Sequence, residues 1–209
     1  MTSSPISDTE RALVLARQQG VLRSRDLDSL GIARSALQVL RERGQLVQIG
    51  RGLYLPADAP GAEHQTLAEV ARRVPHGVVC LLSALRFHEI GTQEPPALWL
   101  CIESRARAPQ IESPFLEIVR QSGRAWSEGV ETHTLRVGEA QIPVRVFSPA
   151  KTVADCWKFR HRIGPDVALE ALRDALRQKK VTHRELWHYA AINRVAGVLR
   201  PYLEAMTTP

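Results

Sequence analysis

The chain has 209 residues, 44% hydrophobic and 24% charged, enough apolar material to bury a core without disulfides or metals. Its net charge is +6, and Lys occurs only at Lys151, Lys158, Lys179 and Lys180, so 24 of the 28 basic residues are Arg. Such an excess suits planar, bidentate contact with phosphate or guanine, although it equally follows from GC-rich coding. The cysteines Cys80, Cys101 and Cys156 lie far apart among apolar residues, which argues against a disulfide framework and against a zinc cluster. There is no basic segment leading into an apolar secretory stretch and no run of about 20 apolar residues. The expectation is a cytoplasmic protein with no membrane contact, no metal and no cofactor.

After a polar tail, residues 1–7, a helical pattern runs to about Gln19 and ends at Gly20. Ser24 reads as the cap of a short helix through Leu30, with Asp26 and Asp28 in its first turns. Gly31 supplies a turn, and a third helix runs from about Ala33 to Arg43. The β-prone runs Leu46–Ile49 and Leu53–Leu55 flank Gly50-Arg51-Gly52, a hairpin tip in which glycine permits positive φ. A Pro- and Ala-rich stretch, about 56–64, reads as a linker between domains at 1–57 and 65–209. Beyond it, helical patterns cover about 65–73 and 81–89. Four β-prone runs follow, at 98–102, 116–121, 131–137 and 142–147, and then helices at about 149–161, 166–178, 182–192 and 195–206. The fold expected is α+β: a winged helix-turn-helix followed by a mixed α/β domain ending in helices.

The third helix separates by face. Ala33, Ala36, Leu37 and Leu40 fall on one side; Arg34, Ser35, Gln38, Arg41 and Glu42 fall on the other. The polar side suits the major groove, where Arg pairs with guanine, Gln with adenine, and Ser with a base edge or a phosphate. Because the N-terminal part of a recognition helix enters the groove, Arg34, Ser35 and Gln38 are the candidates for bases, and Arg41 or Arg43 for phosphate. Arg51 at the hairpin tip is the candidate wing contact. Arg23 and Ser24 precede the second helix, where a cation and backbone N–H groups can clamp a phosphate. A solvated polar face, or a winged helix used for protein contact, remains the alternative. Residues 14–51 carry a net charge of +4. Neutralising three or four phosphates gives a salt slope of about −3 to −4. A monomer then binds weakly, and a dimer induced by inverted-repeat DNA or a second contact is expected.

The chain resembles the AbiEi antitoxins of type IV toxin–antitoxin systems. The resemblance is carried by ERALVLARQQGVLRSRDLDSLGIARSALQVLRERGQLVQIGRGLYLP (10–56), by CLLSALRFHEIG (80–91), and most specifically by VRVFSPAKTVADCWKFRHRIGPDVALEALRDAL (144–176). It implies an N-terminal winged helix that represses its own operon and a C-terminal domain with antitoxin activity. It also implies a nucleotidyltransferase-like toxin as partner, without need of a stable complex. On the residues alone, Ser148 caps a helix with Pro149 in its first turn. Lys151, Asp155, Lys158 and Arg162 then recur on one face. That stripe reads either as a solvated face with a local Lys151–Asp155 pair or as a second basic surface of Lys151, Lys158 and Arg162.

No Walker, G-x-G-x-x-G or G-x-S-x-G sequence is found. His88-Glu89 begins like a zincin, but position 92 is Thr, and His183 and His188 are five apart. Glu112 and Glu117 lack the partners of a nuclease signature. No enzymatic activity is expected. A one-component regulator whose C-terminal domain senses a ligand is the alternative function; a DNA-acting enzyme and a protein-only adaptor are the remaining ones.

Overall fold

The computed structural model describes residues 7–57, 62–111, 114–137 and 139–207. Residues 58–61 of the expected linker, the tail 1–6 and Glu112 lie outside them. The chain is mixed α and β and divides into two compact units. One comprises Met1–Pro75 with His133–Val144; the other comprises His76–Thr132 with Arg145–Pro209.

The first unit opens with α1 (Asp8–Gln19), capped by Ser7. The Ser7 hydroxyl accepts from the Glu10 N–H (3.2 Å) while the Glu10 carboxylate accepts from the Ser7 N–H (3.0 Å), a reciprocal box that satisfies two helix-end donors. There follow β1 (Leu22–Arg23), α2 (Ser24–Asp28), α3 (Ser35–Glu42), β2 (Leu46–Gly50), β3 (Leu53–Pro56) and α4 (Ala62–Arg73). The cap of α2 is Arg23 rather than Ser24, because Ser24 is turned toward the hairpin: its N–H and hydroxyl both donate to the Gly52 carbonyl. The strands form an antiparallel sheet in the order β1-β3-β2, with Leu22 opposite Tyr54 and Gln48 opposite Tyr54. Ala12, Ala16, Leu22, Leu27, Ala36, Leu37 and Leu40 make the core beneath the helices, the apolar face that the periodicity of α3 predicts.

The unit extends beyond the expected boundary near residue 57 for physical reasons. Arg72 on α4 donates to the carbonyls of Gln19 and Val21, which draws α4 onto the end of α1. The Glu139 N–H donates to the Arg17 carbonyl (2.8 Å). Gly20, at φ +71°, lies so close to Val137 that a Cβ would stand 2.8 Å from its carbonyl oxygen.

The second unit contains β4 (Val78–Val79), α5 (Leu81–Phe87), β5 (Leu98–Glu103), β6 (Leu116–Gln121) and α6 (Arg124–Ser127). Next come β7 (Val130–Val137), β8 (Ala140–Phe147), α7 (Pro149–Lys158), α8 (Arg160–Ile163), α9 (Pro165–Arg177), α10 (His183–Ile192) and α11 (Ala196–Thr207); the 133–144 portion of β7 and β8 counts with the first unit. The sheet order is β6-β5-β4-β8-β7. β5 pairs in parallel with β6 and antiparallel with β4, and β4 pairs in parallel with β8. β5 is buried along nearly its whole length, as a strand in the middle of a covered sheet must be.

α7 is the centre of this unit. Ser148 caps it and Pro149 occupies its first turn, as the sequence predicts. Every residue from Ala150 to Trp157 is buried, so this helix has no solvated face. The stripe assigned to a second basic surface is corrected accordingly. Lys151 and Asp155 are fully buried and paired with each other; Lys158 is half-buried; and α7 stops before Arg162, which belongs to α8.

Candidate nucleic-acid interface

α3 and its cap present most of the face the sequence predicts: Arg34, Ser35, Gln38, Arg41 and Glu42 are exposed and Ala36, Leu37 and Leu40 are buried, but Ala33, expected on the buried side, is exposed because the helix begins only at Ser35. With the hairpin, α3 frames an open groove of about 840 Å³. Arg34, Gln38 and Arg41 line it from the helix, and Gln48 and Tyr54 line it from the strands. The groove thus gathers three of the candidate base- or phosphate-contacting side chains.

Two of the three are already engaged. Arg34 meets Asp28 in a two-pronged ion pair, Nε to Oδ1 at 2.9 Å and Nη2 to Oδ2 at 2.5 Å. This pairing holds the Asp28 carboxyl below its ordinary pKa and the Arg34 guanidinium above its own. Gln38 donates to Glu42 one turn on (3.0 Å). Arg41 has no partner among the described residues, and Arg43 and Arg51 are exposed.

The residues before α2 are placed differently. Arg23 is partly buried, and its Nη2 donates to the Arg72 carbonyl (2.6 Å). Burial, then the like charges of Arg25 and Arg72, press its pKa down. Ser24 is occupied by Gly52. Both side chains thus hold the unit together, which limits what they offer a phosphate. Asp28, Gln48 and Tyr54 escaped sequence reasoning. Only Asp28 left a signal, a carboxylate six residues before Arg34 across a glycine turn.

In the second unit, Asp155 accepts from Lys151 Nζ on both oxygens (2.5 Å each), from Gln121 Nε2 (3.0 Å) and from Asn193 Nδ2 (2.7 Å). Lys158 donates to Gln121 (3.4 Å), and burial lowers its pKa. Arg162 pairs with Glu117 and lies over the Trp99 ring, 4.7 Å from its centroid. Lys151 and Lys158 thus share the Gln121–Asp155 network while Arg162 lies against Glu117 and Trp99, and the three form no common exposed surface. Among the described residues no group of three or more His, Cys, Asp or Glu is arranged to hold a metal, and no helix is long and apolar enough to cross a membrane.

Residues 10–57, which include all of α1 to β3 except the first two residues of α1, match the family model AbiEi_4. That model describes AbiEi antitoxins, transcriptional regulators, and this stretch is similar to them. The AbiEi match lies wholly in the unit that carries the groove. It supports a general role as antitoxin and transcriptional regulator, in agreement with the resemblance seen in the sequence. The chain also resembles the RV2827C protein from Mycobacterium tuberculosis in fold, with a TM-score of 0.56 at 17% identity, over 90% of this chain and 73% of that one. A type III polyketide synthase, pspB, of Penicillium soppii is 31% identical over 103 residues, 47% of this chain. The match spans only 25% of the synthase, and the AbiEi match points to a regulator rather than to that chemistry.

Proposed function

We propose that the first unit is a winged helix-turn-helix that binds double-stranded DNA, with α3 as recognition helix and the β2–β3 hairpin as wing. The observation that carries this reading is the groove where Arg34, Gln38 and Arg41 converge beside the hairpin, since these side chains match base-edge and phosphate chemistry. On this reading the chain represses its own promoter. It acts as the antitoxin of a type IV, abortive-infection system, counteracting a nucleotidyltransferase-like toxin without a stable complex.

Fluorescence anisotropy with a duplex from the chain's own upstream region and a scrambled duplex, across a salt series, tests the DNA arm. Preference for the upstream duplex that Arg34→Ala abolishes supports it; equal binding to both duplexes, or none at low salt, overturns it. Co-expression with a neighbouring nucleotidyltransferase tests the antitoxin arm, which fails if growth is not restored.

A further inference from the structure

We propose that Asp28 and Arg34 form a preset guanine-reading fork in which Asp28 is the positioning residue. This deepens the reading of α3 as a recognition helix and rests on it. A guanidinium carries five N–H groups in a rigid plane. Asp28 takes one on Nε and one on Nη2, which is the side edge. Both hydrogens on Nη1 and one on Nη2 remain, and the end edge they form is the fork that spans O6 and N7 of guanine. Arg34 stands at the N-terminal cap of α3, the end that meets base edges in helix-turn-helix proteins. Asp28, the last residue of α2, reaches it across the turn.

The charge of the pair selects among targets. A phosphate brought to Arg34 lies beside the Asp28 carboxylate and is repelled by it, whereas the uncharged edge of a base is not. The pair is neutral in sum, so it contributes little to counterion release, and its value lies in discrimination. Holding the guanidinium in place also removes part of the rotamer entropy that a free arginine loses on binding.

The test is selection from a randomised duplex library, followed by anisotropy on the selected duplex. The proteins are the full chain as wild type, Arg34→Ala, Asp28→Asn, Asp28→Glu and the double variant Asp28→Asn/Arg34→Ala. The duplex is also made with 7-deazaguanine at the preferred guanine. Wild type is expected to prefer guanine at one position by about fivefold to 150-fold, the range for a good bidentate pair, and to lose that preference on 7-deazaguanine. Arg34→Ala loses it entirely. Asp28→Asn and Asp28→Glu, which moves the carboxylate by one methylene, each lower it while Arg34 is intact. Asp28→Asn has no effect on selectivity once Arg34 is gone. If Asp28→Asn instead tightens binding to every duplex alike, Asp28 merely repels DNA and the fork is overturned. If wild type enriches no duplex at all, the recognition-helix reading itself has failed, a different result from the first.

Discussion

Replacing Lys151 and Asp155 together should cost the second unit no more than replacing Asp155 alone, well short of the sum of the two single losses. Both side chains are fully buried, and the ammonium stands 2.5 Å from each carboxylate oxygen. Lys151→Met strands a carboxylate with two neutral donors, Gln121 and Asn193; breaking such a buried pair costs about 3–5 kcal/mol. Asp155→Leu leaves the ammonium, among the described residues, with the Phe147 ring 4.3 Å away and no carboxylate, and also strips Gln121 and Asn193 of their acceptor, so it should cost at least as much. Removing both charges is close to neutral for the pair itself. It leaves two amide groups unsatisfied at about 1–3 kcal/mol each. The double variant should therefore be no less stable than Asp155→Leu alone, although simple addition gives about 6–10 kcal/mol for the two losses. All four tryptophans, Trp99, Trp126, Trp157 and Trp187, lie in this unit, so tryptophan fluorescence in urea reports on it alone. Single-variant losses below about 1 kcal/mol, the scale of an exposed pair, or simple additivity in the double variant, would refute the picture of a dry, mutually dependent pair.

Gly52→Ala should destabilise the first unit by about 1–2 kcal/mol, because alanine is strained at positive φ. The residue stands at φ +70° and its Cβ would lie 2.4 Å from Ser24 Oγ; a far-UV circular dichroism melt checks this. Gly20→Ala meets a harder obstacle, a backbone oxygen at 2.8 Å, and should lower the same melting temperature more than Gly52→Ala does. The thiols predict the alkaline behaviour of the second unit. Burial raises Cys101 from 9.0 to about 12 and pushes Cys80 and Cys156 up as well. Below pH 9 both the folded and unfolded chains keep these protons. Above it the unfolded chain ionises first, so stability falls from about pH 9 toward 12. Urea midpoints that stay flat across that window would contradict the burial, as would rapid reaction of native thiols with a disulfide reagent at pH 8.

The regular elements with strong periodicity were legible in advance. α1, α3, the β2–β3 hairpin, β5, β6 and the cap of α7 all carry local signals such as Gly20, Ser148-Pro149 and the alternating faces of α3. β1, β4 and α6 were not, since two to four residues hold no period and exist only because a neighbouring strand or helix supplies partners. Lys151 shows the harder limit. An i, i+4 Lys–Asp pair looks the same whether it faces water or the core, and what decides is two distant amides, Gln121 and Asn193, that no spacing links to it. One local hint existed: the neighbours of Lys151 and Asp155, from Ala150 to Trp157, are small or apolar apart from Thr152, leaving little else polar to form a solvated face.

Arg23 shows the same limit in the first unit, and it changes the electrostatics expected of the DNA complex. With Arg23 bound to the Arg72 carbonyl and Arg34 neutralised by Asp28, the exposed cations near the groove and hairpin are Arg25, Arg41, Arg43 and Arg51. If all four meet phosphates, one copy gives a salt slope of about −3 to −4, a loss of roughly a hundredfold between 50 and 200 mM salt. Two copies on an inverted repeat double that slope. Arg41→Ala reduces it by about 0.9 per copy if Arg41 sits on phosphate, and leaves it unchanged while altering the selected sequence if Arg41 reads a base. The slope for wild type and Arg41→Ala on one selected duplex therefore measures both the number of copies bound and the role of Arg41. A wild-type slope shallower than about −1 would mean that these arginines face away from the DNA.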